Sequence, residues 1–302
     1  MLKEREILNG LAHNPVQFRL GEYYGASIGA GVRLAFNRVH PSVDKRGDFI
    51  TAAKRIINPL SLPRPIEFDL ICHRLAPEIT GKDVLDIGSP KLAGLVMAAQ
   101  NPSTLVLTDI QGDFISPWTK LMNASGYGKR LGKDIFLQRE DARKLTIPQN
   151  TIDYAYSISV LEHVANDREG NPGDTQAMQQ IAKVLRPGGV VTLTVPYDSR
   201  GYREEYHNGT IYEREAKLDQ ANFYQRYYDA QALVERLIRP TGLILEKQVY
   251  FAPILPFEEQ WNRIPMKAKV PLLPFQGALG YLLINEVSEK QGSGVALRLR
   301  KP

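Results

Sequence analysis

Asp83-Val-Leu-Asp-Ile-Gly-Ser-Pro-Lys-Leu-Ala-Gly94 reads as a short buried strand running straight into a helix. Val84, Leu85 and Ile87 supply the apolar run of a parallel-sheet strand, Gly88 permits a sharp backbone turn, and Ser89 stands where a helix N-cap belongs. Pro90 follows at the first helical position, where its missing N–H costs nothing and its fixed φ suits the helix. Such a turn aims a helix N-terminus out of the carboxyl end of a strand, and free N–H groups together with the helix dipole favour a carboxylate or phosphate there.

Working outward, Phe68, Ile71, Cys72 and Leu75 fall at i, i+3, i+4 and i+7 and predict a helix from Pro65 to Ile79 on the upstream side, with His73 beside its apolar face. Downstream, Ser103 to Asp109 is a β-rich run ending in an acid, about 20 residues beyond the glycine turn, where a ribose-binding unit needs a carboxylate. Asp109 is therefore a ribose ligand or, failing that, a helix cap. Strands follow at Ile135–Gln138 and Ile152–Ser157, then a helix carrying Met178, Ile181, Ala182 and Leu185, closed by the turn residues Arg186-Pro-Gly-Gly189, and a fifth strand at Val190–Val195. Strands alternating with helices at this spacing mean an α/β, doubly wound, Rossmann-like and mostly parallel sheet, with ligands at the carboxyl ends of its strands.

From Tyr197 to Tyr228 that rhythm gives way to an insertion rich in Tyr, Glu and Arg, placed to lie over the crevice. Its tyrosines either meet a planar or sugar-like ligand or pack an extra layer. Asp229 then caps a helix with Ala230, Leu233, Val234 and Leu237 on one face, ahead of a strand from Leu243 to Phe251. Five prolines among apolar residues between Ala252 and Gly277 rule out a regular helix and predict a lid, a substrate wall or a peripheral membrane contact. A last strand near Leu279–Val287 and a basic tail complete the pattern. Residues 1–64 read as an extension of short helices and loops, and residues 65–302 as the main domain; Gly25 to Gly31 matches no phosphate-binding loop.

The 302 residues are 43% hydrophobic and 24% charged, which suits a globular chain with one large core. The net charge of +5 is spread without a basic block, so nucleic acid is not an expected partner. A single cysteine, Cys72, forbids an internal disulfide and a multi-cysteine metal site and fits a reducing, cytoplasmic setting. The opening residues lack an apolar signal region, and no apolar run is long enough to span a bilayer.

Val84-Leu-Asp-Ile-Gly88, Asp109, Asp141-Ala142 with Leu145 and Pro148, Ser159-Val-Leu-Glu-His163 and Val184-Leu-Arg-Pro-Gly-Gly189 through Pro196 occur in an order that resembles the class I S-adenosylmethionine-dependent methyltransferases, of the type 11-like group that methylates small molecules. The resemblance covers roughly residues 80 to 250 and implies a seven-stranded sheet and S-adenosyl-L-methionine as cofactor. It implies that Asp86, Gly88 and Ser89 border the methionine part, that Asp109 with Ile110 beside it meets the ribose, that Asp141 and Ala142 meet the adenine, and that Ser157 to Ser159 line the methyl-transfer site. The loop departs from the family pattern, because Pro90 and Leu92 stand where further glycines are usual. The departure disfavours NAD, whose pyrophosphate needs closer backbone approach, more than it disfavours S-adenosylmethionine. A capped helix start at Ser89 could receive the carboxylate, with Lys91 helping or simply solvated.

Methyl transfer asks the protein to align nucleophile, methyl and sulfur and to exclude water, with no metal required. For a hydroxyl acceptor a base near neutrality helps, and His163, just past the fourth strand, is the catalytic candidate, with a packing role as the alternative and His207 as second choice. Ser157-Ile-Ser-Val stands where enzymes acting on adenine or glutamine nitrogens carry an Asn/Asp-Pro-Pro-aromatic run, so a hydroxyl or amine of a metabolite, sugar or lipid-linked intermediate is expected instead. A scaffold that keeps the fold without turnover is the alternative to which the missing glycines point, and a nicotinamide oxidoreductase is a third reading.

Overall fold

The computed structural model describes residues 64–208 apart from 168, 221–253 and 284–302, with the short stretches 27–29 and 32. Helix α1, Arg64–Asp69, runs into a π-helical turn, Leu70–Arg74. Phe68, Ile71, Cys72 and Leu75 are all buried, as their spacing predicts. The Leu75 N–H closes on Leu70 O at 2.8 Å and the helix ends there, short of the expected Ile79.

Strand β1, Asp83–Ile87, leads to α2, Lys91–Ala99; then come β2, Thr104–Asp109, α3, Ile115–Ala124, β3, Ile135–Arg139, and β4, Ile152–Ile158. Helix α4, Gly173–Val184, passes directly into β5, Leu185–Pro196. Strands β6, Arg203–Asn208, and β7, Ala221–Tyr227, form a separate antiparallel hairpin, and β8, Ile244–Pro253, β9, Ile284–Val287, and β10, Gly294–Arg300, complete the main sheet. Its order is β3-β2-β1-β4-β5-β10-β8-β9, parallel from β3 to β5 and antiparallel beyond. Alternate side chains feed two cores: Val84, Leu105, Tyr154 and Tyr156 pack with α2 and α3, while Leu85, Val106, Ala155 and Leu193 pack with α4. Layers on both faces make the sheet doubly wound, as expected.

Four expectations are corrected. The sheet has eight strands rather than seven, because β10 enters it between β5 and β8. The basic tail is not a tail: β10 lies between β5 and β8, with Val295, Ala296, Leu297 and Leu299 fully buried and Arg298 and Arg300 both paired to Glu246. Arg186-Pro-Gly-Gly189 is absorbed into β5 as an irregularity, since Leu185 pairs with Ile152 and pairing resumes at Val190 opposite Tyr154, with Gly188 at φ +78°. The helix capped by Asp229, whose Oδ1 accepts from Ala232 N at 2.7 Å, is a short α5, Ala230–Ala232, continued as a π turn, Leu233–Ile238. The wider turn breaks the 3.6-residue period, so Ala232, Leu233 and Leu237 are buried while Ala230 and Val234 are exposed.

The N-terminal extension and the proline-rich segment fall almost wholly outside the described residues. Among the described residues no helix is long and apolar enough to cross a membrane.

Candidate active site

The β1 turn works as predicted at Gly88 and differently at Ser89. Gly88 has φ +63°, and a Cβ there would stand 3.1 Å from Val160 Cγ1, so both the conformation and the space call for glycine. Ser89 is not the helix cap. Its N–H donates to Asp86 Oδ1 (3.0 Å) and its Oγ accepts from Ile158 N (3.1 Å), so this fully buried side chain is spent joining β1 to β4. Pro90 takes the cap position, without a side-chain bond, and α2 starts at Lys91.

A pocket of about 340 Å³ opens at the carboxyl ends of β1 to β4. Gly88, Ser89, Asp109, Ile110, Asp141, Ala142 and His163 all line it, together with Arg64, Lys91, Arg143, Ser159 and Val160. Three expected site residues do not. Ser157 and Ile158 are buried beneath the tip, Ser157 Oγ reaching Ile87 O at 3.4 Å, and of that stretch Ser159 alone lines the pocket. Asp86 lies under the loop, fully buried, with Oδ2 lacking any hydrogen-bond partner. Burial pushes its carboxyl up to about 6, against the pull of Lys91 and of the bonds from Ser89.

Towards β2 and β3 the acids are paired. Asp109 accepts from Lys91 Nζ at 2.6 Å and from Gln111 N at 3.1 Å, and the Lys91 ammonium lies 4.7 Å from the Phe114 ring centroid. Asp141 accepts from Arg143 Nε and Nη2 (3.1 and 2.8 Å) and from Arg143 N (2.9 Å). Partial burial pushes the Asp141 carboxyl up, but the bonds and charge of Arg143 outweigh it and hold it below the ordinary range.

Towards β4 the chemistry changes. Ser159 has φ +49°, a left-handed conformation that costs a serine roughly 1–2 kcal/mol. Its N–H donates to Thr194 O (3.1 Å), and its Oγ donates to Glu67 of α1, which also accepts from Thr194 Oγ1 at 3.2 Å. The next turn carries Glu162, buried, with Oε2 unpartnered; burial, helped by the charge of Glu67, pushes its carboxyl up to about 8. His163 Nδ1 lies 2.7 Å from Tyr224 O in β7 and its Nε2 is 3.8 Å from Glu162 Oε1. Burial holds the imidazole below its ordinary value, against the bond to Tyr224.

The hairpin is fixed to this turn by Arg226, a fully buried side chain that donates to Val164 O (2.7 Å) and Asn166 Oδ1 (2.6 Å) and pairs with Glu204 at 3.3 Å. Beneath it, Asp174 accepts from Tyr228 (2.9 Å) and from both Nε and Nη2 of Arg236. His207 lies outside the pocket, bonded to Glu205 at 2.9 Å. Sequence reasoning missed Arg64 and Glu67, which act across the fold, and Arg226, which carries no motif.

A methyltransferase-domain family matches residues 85–193. Among solved structures, a geranyl diphosphate methyltransferase in complex with SAM is 10% identical, covering 89% of this chain and 94% of that one with a TM-score of 0.51. The [4+2]-cyclase SpnF is 17% identical over 81% and 84%, with a TM-score of 0.50. An S-adenosylmethionine-dependent methyltransferase from Mesorhizobium loti is 16% identical over 76% and 95%, with a TM-score of 0.45. No curated protein matches the chain.

Residues 85–193 form a methyltransferase domain. The pocket fits S-adenosylmethionine as the cofactor of such a domain. Gly88 leaves open the space that a side chain would fill, acids stand at the tips of β2 and just past β3, and the buried Asp86 Oδ2 is an acceptor with no protein donor. The missing glycines have not closed the loop, since the pocket passes along Pro90 and Lys91.

Proposed function

We propose that the protein transfers a methyl group from S-adenosylmethionine to a hydroxyl or amine of a small molecule, with His163 as general base. The observation that carries this reading is the setting of His163. It lines the pocket beside Ser159 and Val160, and its Nδ1 meets a backbone carbonyl, which selects the tautomer with the proton on Nδ1 and leaves Nε2 as the basic nitrogen. The cofactor, when bound, supplies an electrophilic methyl on a sulfonium that leaves as a neutral thioether.

Asp141 and Ala142 then hold the adenine end, and Asp109 the ribose hydroxyls. Val160 and the hairpin face of Tyr224 exclude water where the acceptor oxygen or nitrogen meets the methyl. His163 Nε2 takes the acceptor's proton, and its depressed pKa keeps it neutral, hence competent, at neutral pH. The geranyl diphosphate methyltransferase, similar over most of the chain, supports a small molecule as the class of acceptor. Strand β7, held to the β4 turn through Tyr224 and Arg226, then closes the acceptor side.

Calorimetric titration with S-adenosylmethionine, S-adenosylhomocysteine and NADH tests the cofactor, with binding of the first two alone expected. S-adenosylhomocysteine release over a panel of hydroxylated and amine acceptors tests the reaction. Cofactor binding with no release on any acceptor would favour the scaffold reading.

A further inference from the structure

Arg64, Lys91, Arg143 and His163 are the basic side chains of the pocket. Three are committed. Lys91 is bonded to Asp109, Arg143 to Asp141 and to Ala165 O (3.2 Å), and His163 is held neutral by burial. Ser89, the expected receiver of an anion at the start of α2, has turned into the sheet. Arg64 differs. Its Nη1 donates to Glu67 Oε2 at 2.7 Å, while no other described residue receives its Nε or Nη2, and the side chain is 26% exposed.

Topology decides what this cation faces. Along the sheet the strand tips run Asp141 and Ala142 past β3, Asp109 at β2, Gly88 at β1 and Ser159 at β4. Neighbouring strands lie about 4.8 Å apart, so a ligand with its base at β3 and its sugar at β2 carries its far end about 10 Å on, to the tips of β1 and β4. Glu67 is tied to Ser159 of the β4 tip and to Thr194 of β5, so it plants the Arg64 guanidinium at that end of the pocket. An arginine with one edge held by a carboxylate and the other open to a pocket is a receptor for a second carboxylate.

We propose that Arg64, held by Glu67, receives the carboxylate at the methionine end of the cofactor and takes the part that the altered loop and the buried Ser89 do not play. This rests on the cofactor lying across the tips as set out under Proposed function. Both residues precede the matched stretch 85–193, so the domain recruits its anion receptor from α1.

The test is calorimetric titration of the full chain with S-adenosylhomocysteine and with 5′-methylthioadenosine, which keeps adenine, ribose and sulfur but has no amino-acid tail. Arg64→Met is expected to weaken S-adenosylhomocysteine about 10- to 100-fold and to leave 5′-methylthioadenosine unchanged, with Arg64→Lys recovering part of the loss. Because Arg64→Met strips the buried Glu67 of its cation, the double variant Arg64→Met/Glu67→Gln is measured beside it, and 5′-methylthioadenosine binding shows that the pocket is folded. Equal weakening of both compounds in the folded protein, or no change in either, would overturn the assignment. Wild-type protein binding neither compound would overturn the cofactor site itself, a result separate from any difference among variants.

Discussion

The two ends of the pocket hold their acids differently. Towards β2 and β3, Asp109 and Asp141 are part-exposed and each is bonded to a cation two to eighteen residues away. Towards β1 and β4, Asp86 and Glu162 are buried, each keeps one oxygen without a partner, and burial pushes them up to about 6 and about 8. The first end presents ion-paired carboxylates and suits recognition of hydroxyls and an amine. At the second, burial raises both carboxyls, enough to keep Glu162 protonated at neutral pH, and favours the neutral form of His163. Binding and turnover are thus expected to be separable by position along the sheet.

The largest effect that tests this division is on turnover. Once an acceptor is found, His163→Gln is expected to cut kcat by about 10² to 10⁴ while S-adenosylhomocysteine affinity holds; a variant that loses that affinity would put His163 among the binding groups and erase the distinction. Next comes stability. Glu162 is protonated in the native chain up to about pH 8 but ionises near 4.5 when unfolded, so between those values the native state binds the extra proton and stability falls as pH rises. Glu162→Gln removes that slope and is expected to gain on the order of 3 kcal/mol over wild type at pH 8 and little at pH 4.5. Urea melts at the two pH values measure it, and an equal difference at both would show that Glu162 holds no proton.

Asp109→Ala is expected to weaken S-adenosylhomocysteine about 10- to 100-fold in a folded protein, and retained affinity would end its assignment to the ribose. Asp141→Ala should do less, about three- to tenfold, since its carboxylate is a third exposed and already bonded within its own turn. A larger loss than at Asp109 would mean that the base and not the sugar anchors the ligand.

Much of this was legible in the chain, and what was hidden had a common cause. The apolar run Val84 to Ile87, the acid at Asp109 and the glycine at 88 are local signals, and each element lies where its residues predict. Ser89 has the right type and place for a cap, but Ile158 N–H, 69 residues on, offers its oxygen a buried partner, and the tertiary bond decides. Glu67 reaches Ser159 and Thr194 across 92 and 127 residues, a contact with no local trace. The π turn Leu233–Ile238 shifts the helical phase by a fraction of a turn, enough to misplace Val234. In Gly294–Arg300 the alternation of apolar residues with arginine was present, but its charge disguised a strand whose arginines find Glu246 at the sheet edge.

The place of β10 also sets an order of events during synthesis. It is the last of the sheet's strands to be made, yet it stands between β5 and β8. Until it arrives, the parallel part of the sheet ends at β5 with an open edge, and β8 and β9 have nothing to join. A nascent chain therefore waits with two unpaired edges, a state prone to misassociation, and one seven-residue segment closes both at once.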